Sequence, residues 1–261
     1  MKFLIQHNLM NVDNLEKIRR AIQDYPHEFV GLIPFSHEFV GDTELSGTDY
    51  IPYGSTLMTT LALERGWSGL FFDLENFSMK KAFDNRSDML NTGLVISAGD
   101  AERYLRSQPK SDIFIRPDLD LKHFSGQVMD SLECADWLAD AMSLPPESGS
   151  YAIDKNLVVC ISTPKNIQAE FRWFVVGGKV ISGSMYRAHG QMQHARCDTI
   201  GEIREAQKFA DKWLPNSTCV MDLALVDGEL YVIEFNCINS SGFYANDVDA
   251  VFKAIWEYAN V

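Results

Sequence analysis

Apolar runs of strand length alternate with stretches of helical period over the first third of the chain. Residues 2–7 and 28–34 are short apolar strands, and residues 14–25 between them carry helical spacing. A second helix over 55–65 stops at Gly66, and GLFFDL at 69–74 completes the pattern as a third strand. Alternation of this kind predicts a small parallel α/β layer. Further on, Ser97 stands as the cap of a helix over 98–106. Residues 113–116 are held extended by Pro117, residues 124–128 form the next strand, and a helix over 131–142 ends at LPPESG. From Leu157 the pattern changes to long strands. LVVCI is followed by AEFRWFVVGGKVISGSMYR with a Gly-Gly turn and MDLALVDGELYVIEF with an Asp-Gly turn, two antiparallel hairpins. Helices over 199–213 and 246–260 complete the chain, which has no internal repeat.

The last hairpin is apolar except for Asp222, Glu234 and Asn236. Residues two apart in a strand share a face, so Glu234 and Asn236 point the same way. The direction of Asp222 depends on the turn. A two-residue Asp227-Gly228 loop pairs Val226 with Glu229 and sets Asp222 opposite Ile233, on the wrong face. A three-residue loop with Gly228 left-handed pairs Leu225 with Glu229 and brings Asp222 opposite Val232, diagonal to Glu234. The second register gathers all three oxygens and is the expected one. Two carboxylates and an amide oxygen are hard ligands suited to Mg²⁺. Taken alone, the hairpin is equally readable as three polar residues on a solvent face.

Composition narrows the field. The 261 residues include 46% hydrophobic and 23% charged side chains, which can bury a large core. A formal charge of −13 argues against duplex nucleic acid as a partner, and any anionic ligand must meet local positive charge or a metal. No run approaches the roughly 20 apolar residues of a spanning helix, and MKFLIQHN reads as a first strand, so a cytoplasmic protein without membrane partners is expected. Five cysteines without a Cys-x-x-Cys pair read as reduced, buried thiols.

Glu-x-Asn at the end of a strand, with an Asp twelve residues before the Glu across a hairpin, resembles the metal-binding end of ATP-grasp enzymes. IFIRP resembles that family's strand with a phosphate-contacting basic residue, LVVCIST the link to its adenine pocket, and AEFRWFVVGGKVISGSMYR its following Glu-containing hairpin. RPDLDLKHFSGQV with EFRWFV and EFNCINSSGFY resembles a phage- and bacterium-associated ATP-grasp clade. The resemblance implies an α/β (α+β) ATP-grasp fold: a small parallel α/β lobe over 1–85, then two α+β lobes gripping ATP, a central one over 86–158 and a C-terminal one over 159–261 with the metal site. It implies ATP and one or two Mg²⁺ as cofactors. Asp222, Glu234 and Asn236 would hold the metal, and Glu170 the ribose. Backbone groups around Cys160, Ile161 and Ser162 would meet the adenine edge, Arg116 and Lys122 the phosphates, and Arg172 and Arg187 the reacting γ-phosphate. Arg116 stands where most of the family has Lys, and Cys219-Val220-Met221 stands where many have an Arg before the metal Asp. The implied activity is ligation of a small-molecule or peptide carboxylate to an amine or thiol through an acyl-phosphate. A kinase acting on a small molecule and a non-catalytic nucleotide-binding protein are the alternatives.

Other polar residues carry weaker signals. His189 and His194 in RAHGQMQHARCD match no usual zinc spacing, so the segment is expected to be a loop. Ser240, Ser241 and Gly242 follow the metal strand and are candidates to orient an acceptor, as are the runs at 6–8 and 36–38 at strand ends of the first lobe. No nucleophile elbow, dinucleotide loop or Walker loop is present.

Overall fold

A computed structural model describes residues 1–8, 11–34, 36–41, 45–121, 123–145 and 152–261. These form two compact units, one of residues 1–76 and 167–261, the other of residues 77–166. Boundaries drawn from the sequence at 85 and 158 divide the chain differently.

The first unit contains two sheets. β1 (Lys2–Gln6) is the middle strand of a parallel sheet, flanked by β2 (His27–Val30) and β3 (Tyr50–Tyr53). Its residues from Phe3 to Gln6 are all buried, as expected of a central parallel strand covered on both faces. The third strand is therefore YIPY and not GLFFDL. Pro52 lacks an N–H and suits an edge, whereas the Phe71 N–H is taken by the Asn239 side chain and not by a ladder. α1 (Val12–Ile22) and α2 (Thr56–Arg65) follow β1 and β3, and Gly66 closes α2 in the left-handed conformation.

An antiparallel sheet of order β10-β9-β8-β11-β12 makes up the rest of the unit: β8 (Ala169–Val176), β9 (Lys179–Ala188), β10 (Gln191–Arg196), β11 (Cys219–Val226) and β12 (Glu229–Asn236). RAHGQMQHARCD is mostly strand, not loop. Ala188 pairs with Gln191 across a two-residue turn whose His189 and Gly190 both have positive φ. α6 (Ile200–Ala210) is held by a Thr199–Glu202 capping box, and α7 (Val248–Ala259) closes the chain. Val248, Val251, Phe252 and Ile255 recur at helical spacing on α7. They pack with Phe3 and Ile5 of the parallel sheet and Phe174 and Val220 of the antiparallel one in a single core.

The second unit is a four-stranded antiparallel sheet of order β4-β7-β5-β6, made of β4 (Leu94–Ser97), β7 (Val158–Ser162), β5 (Asp112–Pro117) and β6 (Gln127–Asp130). α4 (Ala98–Ser107) and α5 (Ser131–Ser143) bury Ala98, Ala101, Leu105, Cys134, Ala135 and Leu138 against Ile113, Ile115 and Val159. Ser97 accepts a hydrogen bond from the Asp100 N–H as the cap of α4. β4 and a short helix, α3 (Met79–Asn85), carry no clear period and are not legible in the sequence. β6 begins three residues beyond the expected start, after a segment in which Gly126 packs against the Phe114 ring. Most of LPPESG lies outside the described residues.

Candidate active site on the antiparallel sheet

The hairpin of β11 and β12 turns tightly. Val226 pairs with Glu229, and Asp227 and Gly228 have φ of 51° and 86°. The expected three-residue turn is therefore wrong, because Asp-Gly satisfies the two positive φ values of a two-residue loop without an extra residue. The register changes farther along. Leu223 faces Val232 but Asp222 faces Glu234, leaving Ile233 as an additional residue in β12. That shift restores the face that the tight turn alone would have lost. Asp222 lies directly opposite Glu234, not diagonal to it.

On its other side Asp222 pairs with Arg172 of β8. Three adjacent strands thus place Arg172, Asp222 and Glu234 in one row. Arg172 grips Asp222 with both ends of its fork, Nε to Oδ1 at 2.9 Å and Nη2 to Oδ2 at 2.7 Å, and its Nη1 donates to the Gly242 carbonyl at 3.3 Å. The Asn236 amide donates to Asp222 Oδ2 at 3.1 Å and to Glu234 Oε1 at 3.2 Å. The three residues named from the sequence as metal donors therefore converge. Asp222 is 0% exposed, and burial raises its carboxyl above the ordinary value while Arg172 pulls the other way.

The next row is Glu170 on β8 opposite Arg187 on β9. Glu170 accepts from the Tyr186 hydroxyl at 2.8 Å and from Arg187 Nη1 at 3.1 Å. Tyr186 stacks on Tyr244 with ring centroids 4.8 Å apart, and the Arg172 guanidinium lies 5.7 Å from one ring and 5.1 Å from the other. Burial, then the charges of Asp222 and Glu170, raise the Tyr186 hydroxyl above its ordinary pKa. Arg187 alone in this row is well exposed, with 45% of its side chain accessible.

Sequence reasoning missed both tyrosines. Tyr186 is two residues after Ser184 on the strand that carries Arg187, and Tyr244 holds a φ of 52°, unusual for an aromatic residue. Neither register nor φ is written in composition. Ser241 is buried and donates to the Cys237 carbonyl at 2.8 Å, so it holds the chain after β12 instead of facing an acceptor. His194 packs on Tyr244 at 5.2 Å. Among the described residues no group of three or more His, Cys, Asp or Glu side chains is arranged for a metal ion. The cluster on β11 and β12 has two carboxylates, and its third member is an amide. Two carboxylates and an amide, free of sulfur, are the side-chain types that suit a hard divalent cation; here Asn236 turns its NH2 group toward both carboxylates, and its oxygen would face a cation after rotation of the amide.

The remaining expected residues lie in the second unit. Arg116 on β5 pairs with Cys160 on β7, and its Nε donates to the Pro117 carbonyl at 3.3 Å. Cys160 is buried, its thiol pushed up to about 12 by burial and then by Asp118. Cys160 and Ile161 pair with β4 on one side and β5 on the other, which occupies backbone groups assigned to the adenine edge. Ser162 is the last residue of the strand, and its hydroxyl is buried without a partner. Lys122 lies outside the described residues.

The chain is similar to known proteins in fold and in sequence family. Among solved structures the fold matches a RimK domain protein ATP-grasp from Sphaerobacter thermophilus DSM 20745, with TM-score 0.60 and 10% identity over 100% of both chains. It also matches D-alanine–D-alanine ligase from Bacillus anthracis, with TM-score 0.57 and 9% identity over 100% of this chain and 97% of that one. A third match is the ATP-grasp ligase PsnB complexed with minimal precursor, Mg and ADP, with TM-score 0.52 and 12% identity over 99% of this chain and 98% of that one. No curated protein matches the chain by sequence. The family model described as "ATP-grasp domain, R2K clade family 2" matches residues 95–254, more than half of the chain, and with the fold it establishes that the chain belongs to the ATP-grasp family.

Proposed function

We propose that the protein is an ATP- and Mg²⁺-dependent ligase joining a small-molecule or peptide carboxylate to an amine. The observation that carries this reading is the convergence of Asp222, Glu234 and Asn236 on a sheet that also aligns Arg172 and Arg187, in a chain of the ATP-grasp family. Structural neighbours include ligases, and one of them was solved with Mg and ADP. Asp222, Glu234 and Asn236 would hold one or two Mg²⁺, which neutralise phosphate charge when bound.

The protein's own residues position and neutralise; the site contains no nucleophile. Arg172, fixed by Asp222 and the Gly242 carbonyl, presents a preorganised cation beside the reacting phosphoryl group, and exposed Arg187 supplies a second. Glu170 orients Arg187 and Tyr186 here and would bind the ribose hydroxyls. Arg116 would contact phosphates, and Ser162, at the end of β7 beyond the doubly paired Cys160 and Ile161, the adenine edge. In the proposed reaction a substrate carboxylate oxygen attacks the γ-phosphorus and ADP departs, giving an acyl-phosphate. An amine then attacks the acyl carbon, phosphate departs, and the amine proton is released.

The test is incubation with ATP, Mg²⁺ and mixed amino acids, followed by quantification of ADP, phosphate and coupled product. Equal release of ADP and phosphate is the expected result. ADP accompanied by a stable phosphorylated acceptor, without phosphate, would instead identify a kinase.

A further inference from the structure

The N-terminus of α2 is built differently from the other helix starts. Ser55 occupies the cap position but makes no capping bond. Its hydroxyl and its own N–H both donate to Gln6 Oε1, each at 2.9 Å. The first-turn N–H groups of Thr56, Leu57 and Met58 are left facing the helix end, where the backbone dipole favours an anion.

Two side chains beside it are unsatisfied. Gln6 is 0% exposed, and after Oε1 is taken by Ser55 its Nε2 has no partner. Thr59, one turn beyond Ser55 on the same face, is buried with an unpartnered hydroxyl, whereas neighbouring Thr60 bonds back to the Thr56 carbonyl at 3.1 Å. Gly54 lets the backbone close onto Gln6, since a Cβ there would lie 2.5 Å from Oε1. A buried amide left without a partner is destabilising, and a ligand oxygen that accepts from it would relieve that cost. Every spare group is a neutral donor, and the hydrogen bonds of Gln6, Ser55 and Thr59 involve no charged side chain.

The location ties this corner to the acidic cluster. It lies at the C-terminal ends of β1 and β3, the edge at which parallel sheets bind ligands. The Gly54 N–H donates to the Asn239 carbonyl at 3.0 Å, and the Tyr53 hydroxyl to the Ser241 carbonyl at 2.6 Å. Asn239 also holds the Pro52 and Gly69 carbonyls, at 2.7 and 3.0 Å. The turn leaving Asn236 is thereby bonded to the residue preceding Ser55.

We propose that this corner is a carboxylate-binding subsite. The Ser55 hydroxyl and the Thr56 and Leu57 N–H groups hold the anion once Ser55 turns away from Gln6, whose amide then joins them. In a ligase its occupant is the carboxylate of an amino-acid or peptide acceptor that is not consumed. That use rests on the ligase proposal, whereas the binding does not.

The test therefore omits nucleotide first. In amide NMR, glycine and acetate are expected to shift the Thr56, Leu57 and Met58 resonances saturably, and glycinamide is not. Ser55→Ala and Gln6→Met, with folding checked by circular dichroism, should each weaken acetate binding about tenfold. Absence of saturable shifts, or unchanged binding in a folded Ser55→Ala, would overturn the subsite, and inorganic phosphate binding more tightly than acetate would overturn its assignment to carboxylates. Once a turnover assay is in hand, Ser55→Ala should raise the acceptor KM and leave the KM for ATP unchanged. Carboxylate binding without ATP turnover would sink the ligase proposal alone, and turnover indifferent to Ser55 would sink the acceptor assignment alone.

Discussion

Arg172 is the residue whose environment decides most about the site. It is buried, bidentate with Asp222 and capped by two tyrosine rings, so it has no freedom to act as a mobile cation. Removing one partner of a buried ion pair leaves the other charge uncompensated. Arg172→Met is accordingly expected to lower stability by about 3–5 kcal/mol in urea denaturation, and Arg172→Met/Asp222→Leu to recover much of that loss. A single-variant cost under about 1 kcal/mol would show that the pair is not closed off from solvent. Arg172→Lys keeps the charge but loses the fork, and should reduce turnover at least about a hundredfold. The three metal-type oxygens were legible as residues because two carboxylates and an amide stand out in an apolar hairpin. The Arg172–Asp222 pairing was not, because it arises from the register between strands separated by the whole β9–α6 segment.

At the scale of elements, the hairpins were legible from their turn dipeptides, and the site depends on a detail those dipeptides do not encode. Ile233 is apolar like its neighbours, and nothing in its identity marks it as the additional residue that turns Glu234 toward Asp222. The tight turn is testable at Gly228, whose φ of 86° penalises a side chain: Gly228→Ala should cost about 1–2 kcal/mol, measured by thermal unfolding. GLFFDL misled for the opposite reason. Its composition is that of a strand, but the Asn239 side chain supplies the bonds a ladder would have made.

α7 carries the core contact between the two sheets of its unit, so its cap matters. Asp247 accepts the Ala250 N–H at 3.0 Å, and this bond, with Arg196 nearby, lowers its carboxyl below the ordinary 3.8. A depressed carboxyl adds stability above the unfolded value and loses it as pH falls through the folded one. Asp247→Ala should therefore cost about 1 kcal/mol at neutral pH, with the difference from wild type narrowing below pH 3.8.

Across the whole molecule, the sequence signalled an acidic α/β protein with reduced thiols and an ATP-grasp C-terminal half. β7, which opens the run of long strands, pairs with β4 and β5, not with the hairpins that follow, a partnership its apolar composition does not encode. All five cysteines are buried, and the Cys134 thiol is pushed up to about 12 by burial. Native protein should resist iodoacetamide at pH 8, and denatured protein should label at all five positions. A negatively charged chain that handles a nucleotide requires its acidic cluster to act through a cation. Calorimetric titration with ADP tests this most directly. Wild type is predicted to bind at least about tenfold more tightly with Mg²⁺ than with EDTA, and folded Glu234→Gln to lose that difference. Equal ADP affinity with and without Mg²⁺, or an undiminished Mg²⁺ effect in Glu234→Gln, would contradict the account.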